Sequence, residues 1–444
     1  MNVPRFMISA ASSGSGKTLI TCGILQALVN RGLKVSSFKC GPDYIDPMFH
    51  SKVIGTTSRN VDAFFCEDDV LRNLFCDGAE GTDVSVIEGV MGFYDGSTVN
   101  DSSASSCDVS RKLSAPVILL IDSRGAARSV LATLKGFLEF EDNLIEGVIF
   151  NRMSESTFSK LRDQVKAMGV EPIGCVPKVD VDLSSRHLGL VLPDEIDDLR
   201  GRLNSLASTL ERTIDMDLLL EVASHAGALE HTGTSYPTGI TDIRVGLARD
   251  DAFCFIYEDN IEMLRRMGAS IIEFSPLYDD RVPDVDLIIL PGGYPELHAS
   301  TLESNVRMRE SIAKCISSGR PCLAECGGFM YLHDSMEDKD GKLRRMCGVI
   351  DGTSWNTGSL RRFGYVTLSN GDISVKGHEF HYWDSSSCGT DWIACRKNGQ
   401  TYHCIHDDGR IVVGYPHLYY NSNPEFVRMM IARAERYRES VRSG

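Results

Sequence analysis

The stretch RFMISAASSGSGKTLI, from Arg5 to Ile20, decides the fold of the first half of this chain. A β-rich run leads into a loop of small residues, and an amphipathic helical pattern begins directly after the loop. The loop nearly fits the pattern G-x-x-x-x-G-K-S/T, with Ala11 standing where the first glycine belongs. Because alanine is small, we expect it to be tolerated there provided that its φ angle is not positive.

A loop of this kind is suited to holding phosphate. Successive backbone N–H groups and a helix N-terminus surround the phosphates, the lysine reaches the outer ones, and the hydroxyl residue holds Mg²⁺. The strand–loop–helix context favours a nucleotide site over a chance match, and the predicted cofactors are ATP and Mg²⁺. The residues predicted to bind ATP are Gly14, Ser15, Gly16, Lys17 and Thr18, and Thr18 is also a predicted metal ligand.

Strand-like runs alternate with amphipathic segments through the first half of the chain. The runs are continuously apolar, which is typical of strands buried on both faces of a parallel sheet with helical crossovers. They are RFMISAA, KVSSFKC, VSVIEGV, PVILLID and EGVIFNR, with EPIGCVP as a predicted edge strand. We expect helices from Thr18 to about Arg31 and from Glu211 to about Ala223. The pattern predicts an α/β fold with a doubly wound parallel sheet.

A polar stretch, HAGALEHTGTSYPTGIT at residues 225–241, has little apolar periodicity and is predicted to be a linker. Beyond it the alternation restarts with IRVGLAR, SIIEFSP, VDLIILPGG and PCLAECGG. Helices are expected near Asn260 to Met267 and near Ser304 to Ser318. Residues 1–224 and 242–444 are therefore predicted to form two α/β domains.

The composition restricts the class of partner. The chain has 444 residues, and its formal net charge of −15 argues against nucleic acid or anionic membrane, because both need a positive face. No apolar run is long enough to span a membrane, and the N-terminus lacks the pattern of a secretion signal, so we expect a cytoplasmic protein. The 14 cysteines show no paired C-x-x-C spacing, which fits a reducing compartment. A homodimer is left open.

Carboxylates follow two of the predicted strands. Asp43 and Asp46 lie in KCGPDYIDP, just past one strand, and Glu88 ends another in VSVIEGVMGFYDG, with Asp95 on the adjoining loop. Such carboxylates can bind Mg²⁺ or face a substrate, although GPD is also ordinary turn chemistry. A carboxylate at the end of a buried strand needs a cation to offset its desolvation, which favours a metal role for Glu88.

The second half has one cysteine in a distinctive context. PCLAECGGFMYL predicts a strand, a sharp turn at Cys326 and a helix start, with Ala324 and Gly328 small enough to permit a nucleophile elbow. A thiolate at a helix N-terminus is also favoured by the dipole. Backbone N–H groups of Gly327 and of Gly293, in the PGG loop, are candidates for an oxyanion hole. The alternative is one more buried cysteine.

A histidine late in the chain is needed to take the thiol proton. His417 in VVGYPHLYY fits best, because it follows an apolar strand. The segments GHEFHYW and YHCIH invite a metal interpretation, which we set aside, since neither makes a closed ligand set and the first two histidines fall on opposite strand faces. The residues concerned are His378, Glu379, His381, His403, Cys404 and His406.

Together SSGSGKT, KCGPDYIDP and EGVMGFYDG resemble the cobyrinic acid a,c-diamide synthase family, ATP-dependent corrinoid amidoligases related to dethiobiotin synthetase. RHLGL, from Arg186 to Leu190, also resembles a family segment near the tetrapyrrole site, although a surface turn is the alternative. The resemblance spans almost the whole chain and implies cobyrinic acid or a related tetrapyrrole as substrate. The predicted metal ligands are Thr18, Asp43 and Glu88, and the residues assigned to substrate binding or acyl transfer are Asp43, Tyr44, Asp46, Asp95, Arg186 and His187.

The second half resembles class I glutamine amidotransferases, in the branch shared by cobyrinic acid diamide synthase and cobyric acid synthase, which implies L-glutamine as a further substrate. Many such glutaminases place a glutamate two residues after the histidine. Tyr419 stands there, and the corrinoid branch commonly lacks that carboxylate, so the group that orients His417 is left open. RRFGY resembles a segment near the domain contact, where Arg361 and Arg362 would meet substrate carboxylates or solvent.

A carboxylate does not react with ammonia at neutral pH because its oxygen is a poor leaving group. Phosphoryl transfer from ATP creates an acyl phosphate that ammonia can attack, and a glutamyl thioester on Cys326 would release the ammonia. The resemblance therefore implies a glutamine-hydrolysing carbon–nitrogen ligase that amidates the a and c acetate side chains of cobyrinic acid. Nickel-sirohydrochlorin and hydrogenobyrinic acid a,c-diamide synthases share these motifs, whereas GPDYIDP disfavours cobyric acid synthase.

A different class is a partitioning-type ATPase with a non-catalytic glutaminase-like interaction module. Those proteins usually carry a second lysine near the start of the phosphate loop. AASSGSGK contains only Lys17, and an intact elbow at Cys326 would serve no purpose in such a protein. Glutamate release from glutamine separates the two hypotheses.

Overall fold

The computed structural model describes residues 1–179, 184–186, 189–190, 199–233 and 236–443. It divides into two compact units, Met1–Thr234 and Ser235–Gly444. The division falls within the segment predicted as a linker, but the first part of that segment packs on the first unit. Leu229 is buried, and the Asn73 side chain donates hydrogen bonds to Thr232 Oγ1 and to the carbonyl oxygen of Gly233.

A parallel sheet forms the centre of the first unit, as predicted. Its strands are β1 (Arg5–Ala10), β2 (Val35–Cys40), β3 (Thr57–Val61), β4 (Val84–Glu88), β5 (Val117–Asp122), β6 (Ile145–Asn151) and β7 (Glu171–Val176). They are arranged in the order β3-β2-β4-β1-β5-β6-β7, and every neighbouring pair is parallel. β1, β2 and β4 are buried at every residue, as expected of strands covered on both faces, although β2 also buries Ser36, Ser37 and Lys39. EPIGCVP lies at the edge, as expected.

Helices cover this sheet. They are α1 (Lys17–Asn30), α2 (Ile45–Phe49), α3 (Asp68–Ala79), α4 (Ser106–Lys112), α5 (Val130–Phe140), α6 (Glu155–Lys166), α7 (Leu199–Thr213) and α8 (Met216–Ser224). A π-helical turn, His50–Ile54, follows α2, and a small antiparallel pair is formed by β8 (Ser184–Arg186) and β9 (Gly189–Leu190).

We expected one closing helix from Glu211 to about Ala223. This prediction is wrong, because the helix is interrupted between α7 and α8. The Asp215 carboxylate accepts a hydrogen bond from the Leu218 N–H at 3.0 Å, which caps α8. The backbone N–H of Asp215 donates to the carbonyl oxygen of Ile173 in β7 at 2.9 Å. An N-cap aspartate and a tie to the sheet thus outweigh the continuous helical pattern.

The second unit is built on another parallel sheet. Its strands are β10 (Arg244–Ala248), β11 (Ser270–Phe274), β12 (Leu287–Leu290), β13 (Cys322–Glu325) and β22 (Ile411–Gly414), in the order β11-β10-β12-β13-β22. Leu287 and Ile289 belong to one hydrophobic cluster, whereas Ile288 and Leu290 belong to another. Alternate residues of β12 therefore face two different cores, as expected of a strand buried on both sides.

Two further sheets complete this unit. One contains β14 (His333–Glu337), β15 (Leu343–Arg345), β16 (Ile350–Asn356) and β19 (Trp383–Ser385), in the order β15-β14-β16-β19. The other is antiparallel and contains β17 (Arg362–Ser369), β18 (Ser374–His381), β20 (Trp392–Arg396), β21 (Thr401–Cys404) and β23 (His417–Leu418), in the order β21-β20-β17-β18-β23.

The helices of the second unit are α9 (Glu258–Arg266), α10 (Ala299–Ser304), α11 (Val306–Ser317), α12 (Gly327–Leu332) and α13 (Pro424–Ser443). Short 3₁₀ turns occupy Pro295–Leu297 and Tyr420–Ser422. The expected helices near residues 260–267 and 304–318 correspond to α9 and α11. Throughout the described ranges, no helix has the length and apolar character that crossing a membrane requires.

Candidate functional site

The loop between β1 and α1 has the backbone conformation that its glycines predict. Gly14 and Gly16 have φ angles of 76° and 97°, in the left-handed region, and α1 begins at the next residue, Lys17. Ala11 is not among the residues with positive φ, so alanine at that position costs the loop little. The backbone N–H groups at the start of α1 therefore face the mouth of the loop.

Asn151, the last residue of β6, holds the loop through a hydrogen bond, and no sequence pattern identified it as a site residue. Its Nδ2 donates a hydrogen bond to the carbonyl oxygen of Ser15 at 2.8 Å. A Cβ atom added at Gly16 would lie 2.5 Å from Asn151 Nδ2. Both the φ angle and this close approach therefore require glycine at position 16.

We expect Gly16→Ala to weaken ATP binding more than Gly14→Ala. Alanine at either position pays about 1–2 kcal/mol for a positive φ angle. At Gly14 the added methyl group meets nothing within 4 Å, whereas at Gly16 it displaces Asn151. Isothermal titration of each variant with ATP, beside thermal unfolding, measures the difference. Equal losses in the two variants would show that the contact with Asn151 contributes nothing.

Lys17 lies folded into the loop. Its Nζ donates hydrogen bonds to the carbonyl oxygens of Ser12, at 3.1 Å, and of Met91. Burial and, to a lesser extent, the nearby charge of Lys39 lower the pKa of Lys17 to about 8. The ammonium group is thus held by carbonyl oxygens at the place where a phosphate would offer stronger acceptors.

A buried ion cluster lies beside the loop, at the ends of β2 and β4. Lys39 Nζ is 2.5 Å from Asp46 Oδ2 and 2.7 Å from Glu88 Oε1. The Thr18 hydroxyl donates to Glu88 Oε1 at 2.6 Å. Lys39 and Glu88 are register partners in adjacent strands, which brings their side chains together. The cation expected beside Glu88 is therefore supplied in this structure by Lys39, a residue that the sequence analysis overlooked.

The charges in this cluster are interdependent. Burial raises the pKa of Glu88 to about 7 against the opposing effect of Lys39, and burial together with the charge of Asp46 raises the pKa of Asp43 to about 6. For Asp46 burial acts in the same direction, but the ammonium of Lys39 outweighs it, and the pKa falls below its usual value. Lys39 therefore keeps part of the cluster ionised near neutral pH.

Removing this lysine tests the cluster. We expect Lys39→Met to lower the free energy of unfolding by about 3–5 kcal/mol, because it leaves buried carboxylates without a cation. Protonation of Glu88 and Asp43 relieves the repulsion, so the deficit should be larger at pH 8 than at pH 6. Denaturant unfolding at both pH values measures it, with Lys39→Arg as the charge-preserving control. A deficit that grows as the pH falls would contradict this account.

The residues at this site fit a magnesium ion. Glu88 Oε2 is buried without a hydrogen-bond partner among the described residues, and His50 Nε2 lies 3.7 Å from it. Thr18 and Glu88 are already adjacent. Within the described part of the chain, no three histidine, cysteine, aspartate or glutamate side chains form a metal-binding group. A cation here would thus depend on Thr18, Glu88 and the phosphates of the nucleotide, a donor set that suits Mg²⁺.

The other predicted residues of the first unit are distributed around this cluster. Asp43 Oδ1 accepts hydrogen bonds from the N–H groups of Ile45 and Asp46, at 2.8 and 3.2 Å, so it shapes its own turn. Tyr44 is half-buried at the start of α2. Asp95 Oδ2 accepts from the Gly92 N–H at 2.9 Å, within its own loop. Among the described residues, Lys39 therefore forms ion pairs with Asp46 and Glu88, whereas Asp43 and Asp95 accept hydrogen bonds within their own loops.

The segment RHLGL is described in part. Arg186 ends β8, and its backbone pairs with Gly189 in β9. β9 lies beside α2, the helix that carries Asp46. His187, which the resemblance assigned to substrate, lies outside the described residues. β9 thus packs beside the helix that contributes Asp46 to the ion cluster, and the assignment of this segment to the substrate stays a prediction.

In the second unit, Cys326 occupies a strained turn between β13 and α12. Its φ and ψ angles are 45° and −103°, an unfavourable conformation for a residue with a side chain. Two glycines make the turn possible. A Cβ atom at Gly328 would lie 2.1 Å from the carbonyl oxygen of Leu290, and one at Gly327 would lie 3.1 Å from the backbone nitrogen of Gly293. The backbone N–H groups proposed for the oxyanion hole are therefore neighbours.

His417 lies at the same end of this sheet. Cys326 follows β13, His417 follows β22, and Gly292 follows β12, and these three strands are adjacent. A Cβ atom at Gly292 would lie 2.2 Å from Cε1 of His417, so the imidazole packs directly on the PGG loop. Burial lowers the pKa of His417 to about 3 and raises that of the Cys326 thiol. Both groups are thus neutral at rest.

Comparison with known proteins finds one family model for each half of the chain. A model described as the CobQ/CobB/MinD/ParA nucleotide binding domain matches residues 6–191, and one described as the CobB/CobQ-like glutamine amidotransferase domain matches residues 244–425. Cobyrinate a,c-diamide synthase from Listeria innocua serovar 6a is 37% identical over 97% of this chain and 100% of its own length. The protein of that name from Salmonella typhimurium is 38% identical over 97% and 98%.

The chain belongs to the cobyrinate a,c-diamide synthase family. A third relative of that name, from Streptococcus sanguinis, is 39% identical over 85% of this chain and 86% of its own length. The family assignment agrees with the two observed units, a nucleotide-binding domain and a glutamine amidotransferase domain.

The remaining polar residues of the amidotransferase unit have contacts of their own. Arg361 pairs with Asp384, and the Arg362 guanidinium lies 3.6 Å over the ring of Tyr402. His381 stacks on Tyr415 with the ring centroids 4.2 Å apart. Further contacts are those of His403 Nδ1 with the Thr390 carbonyl oxygen and of His406 Nε2 with the Ser387 carbonyl oxygen. All of these contacts join residues of the second unit to one another.

One carboxylate of this family member escaped the sequence analysis although a signal was present. Glu325 directly precedes Cys326, at the end of the buried strand β13. The reasoning that singled out Glu88, a carboxylate ending a buried strand, applies equally to Glu325.

Proposed function

We propose that this chain is an ATP- and glutamine-dependent ligase that amidates the a and c acetate side chains of cobyrinic acid. The observation that carries the proposal is the pairing of two sites in one chain, a phosphate loop with an acidic cluster and an elbow cysteine with a histidine. Relatives named cobyrinate a,c-diamide synthase over nearly the whole length support the choice of substrate.

In the first unit, the chain's task is to activate a carboxylate. The N–H groups of the loop and the ammonium of Lys17 bind the outer phosphates of ATP, exchanging the carbonyl contacts of Lys17 for phosphate oxygens. Thr18 and Glu88 would hold Mg²⁺, which offsets the charge of those oxygens when bound. A carboxylate oxygen of the substrate takes the γ-phosphoryl group, ADP leaves, and the acyl phosphate is open to ammonia.

In the second unit, the chain's task is to release ammonia. The Cys326 sulfur attacks the carboxamide carbon of glutamine while His417 takes the thiol proton. The N–H groups of Gly293 and Gly327 stabilise the oxygen that becomes negative. His417 returns the proton to the departing ammonia, and water then cleaves the glutamyl thioester to glutamate. The neutral resting state of both groups suits a proton that moves only once the substrate is in place.

A substrate panel tests the proposal. Purified protein with ATP, Mg²⁺ and glutamine is offered cobyrinic acid, hydrogenobyrinic acid or nickel-sirohydrochlorin, and the number of amides added is read by mass. We expect two amides on cobyrinic acid. Preference for either of the other two tetrapyrroles would replace the substrate but keep the reaction. Absence of glutamate release with every substrate would favour a nucleotide-switch protein with a non-catalytic second unit.

A further inference from the structure

Glu325 lies against His417. Its Oε2 is 3.7 Å from His417 Nδ1, and its Oε1 accepts a hydrogen bond from the backbone N–H of Leu418 at 3.2 Å. Its side chain is 8% exposed, and that of His417 is 3% exposed. The carboxylate is thus tied to the backbone of the residue that follows the histidine and directed at the ring nitrogen remote from solvent.

Other polar groups near His417 are engaged elsewhere. Tyr419, at the position where many glutaminases carry a glutamate, donates its hydroxyl to Asp259 Oδ2 at 3.1 Å. Glu379 accepts from the hydroxyl of Tyr402, and its Oε1 lies 3.5 Å from His381 Nε2. His381 Nδ1 contacts the Trp383 carbonyl oxygen at 2.6 Å, and the ring of His378 packs edge-on against the rings of Phe363 and Tyr365. Glu325 is therefore the carboxylate placed to meet Nδ1.

We infer that Glu325 is the positioning residue for His417, and that it takes the place of the carboxylate absent from position 419. By accepting a hydrogen bond from Nδ1–H, it leaves Nε2 with a lone pair that can take the thiol proton of Cys326. The inference rests on the glutaminase activity proposed above. It places the orienting group on the nucleophile's own strand, one residue before the cysteine.

The surroundings make the pair more effective during the reaction than at rest. Burial raises the pKa of Glu325 to about 8 and lowers that of His417 to about 3, so each charge alone is disfavoured. The positioning role belongs to the ionised form of Glu325, because the protonated carboxyl would donate to Nδ1 and leave the ring proton on Nε2. When His417 takes the thiol proton, the imidazolium forms beside the carboxylate, and each stabilises the charge of the other. The contact at 3.7 Å is one that would shorten as that charge develops.

The decisive variant is Glu325→Gln. A glutamine side chain keeps the shape but has one acceptor oxygen, and the buried Leu418 N–H claims it. The amide NH₂ group then faces His417 Nδ1 and forces the ring proton onto Nε2, the tautomer that cannot accept from the thiol. We expect kcat for glutamine hydrolysis to fall by roughly 10²–10⁴-fold, with the KM for glutamine changed by less than about threefold.

The pH profile gives a second readout that a packing defect would not alter. Without a competent base, the thiol must lose its proton to hydroxide, so the residual rate should rise by about tenfold per pH unit above neutrality. Ammonia-dependent amidation should match the wild type. Glu325→Ala leaves the Leu418 N–H unpaired; if the role of Glu325 were structural alone, alanine would be harmful and glutamine harmless. We expect both to be defective.

Glu379→Gln is the matched control, because it also removes a buried carboxylate close to His417. An equal loss of kcat in this variant would show that the defect comes from losing negative charge near His417 in general, and would overturn the positioning role. Wild-type kcat and pH profile in Glu325→Gln would overturn it as well, while leaving the proposed function standing. If the wild-type protein releases no glutamate from glutamine, the proposed function fails, and the role of Glu325 fails with it.

Discussion

Cys326→Ala is expected to abolish glutamine-dependent amidation while leaving amidation with added ammonium salt at the wild-type rate. The alanine removes the sulfur that attacks glutamine, so no thioester can form, and glutamine hydrolysis should fall by about 10⁴-fold or more. The phosphate loop lies in a separate compact unit and is untouched by the change. The measurement is amide formation by mass spectrometry, with glutamate release assayed in parallel.

A matched control is available in the same strand. Cys322 begins β13 and is fully buried, at the opposite end of that strand from the elbow turn in which Cys326 is held. Cys322→Ala should therefore support amidation from both nitrogen sources. Because alanine keeps the Cβ atom, the strain of the turn is the same in Cys326→Ala, which should therefore unfold close to the wild-type temperature. Failure of ammonia to rescue Cys326→Ala would contradict the division of labour between the units.

Lys17→Ala and Glu88→Ala are expected to stop amidation from glutamine and ammonia alike. In the proposed reaction both residues serve the activating step, on which either nitrogen source depends. Removing the ammonium that would contact the phosphates, or the carboxylate that would hold Mg²⁺, should lower kcat by at least about 100-fold. Product formation with each nitrogen source is the measurement, and ATP titration separates lost binding from lost chemistry.

The two changes differ in their risk to folding. Glu88→Ala deprives Lys39 of one of its two buried partners, so Glu88→Gln is included because it preserves shape while removing the charge. Lys52→Ala, at an exposed lysine of the same unit, controls for loss of a positive charge. Product at near wild-type rates in Lys17→Ala or in a folded Glu88→Gln would remove these residues from the phosphate and metal roles.

Local pattern was sufficient for the parts of the structure that depend on neighbours in sequence. The loop conformation at Gly14 and Gly16 was predictable, because positive φ angles favour glycine. The strands β1 and β4 were predictable, because continuous apolar runs suit strands that are buried on both faces. The turn at Cys326 was predictable for the same kind of reason, since small flanking residues are what such a turn demands.

Contacts between distant segments were not predictable in the same way. Lys39 meets Glu88 only because β2 pairs with β4 in one particular register, and Asn151 reaches Ser15 from β6. Neither contact can be read from the residues that surround it in the sequence. Glu325 is intermediate, since its place before Cys326 was visible while its contact with His417 needed the packing of β13 beside β22.

The pairing of β2 with β4 also limits how this protein can change in length. Successive side chains of a strand point to opposite faces, so gaining or losing one residue within β2 would turn the ammonium of Lys39 away from Glu88. Length changes in α3 or in its flanking loops leave that alternation intact. Over evolutionary time, insertions and deletions can accumulate in the loops around α3, whereas β2, β4 and the segment that carries Asp46 are confined to substitution.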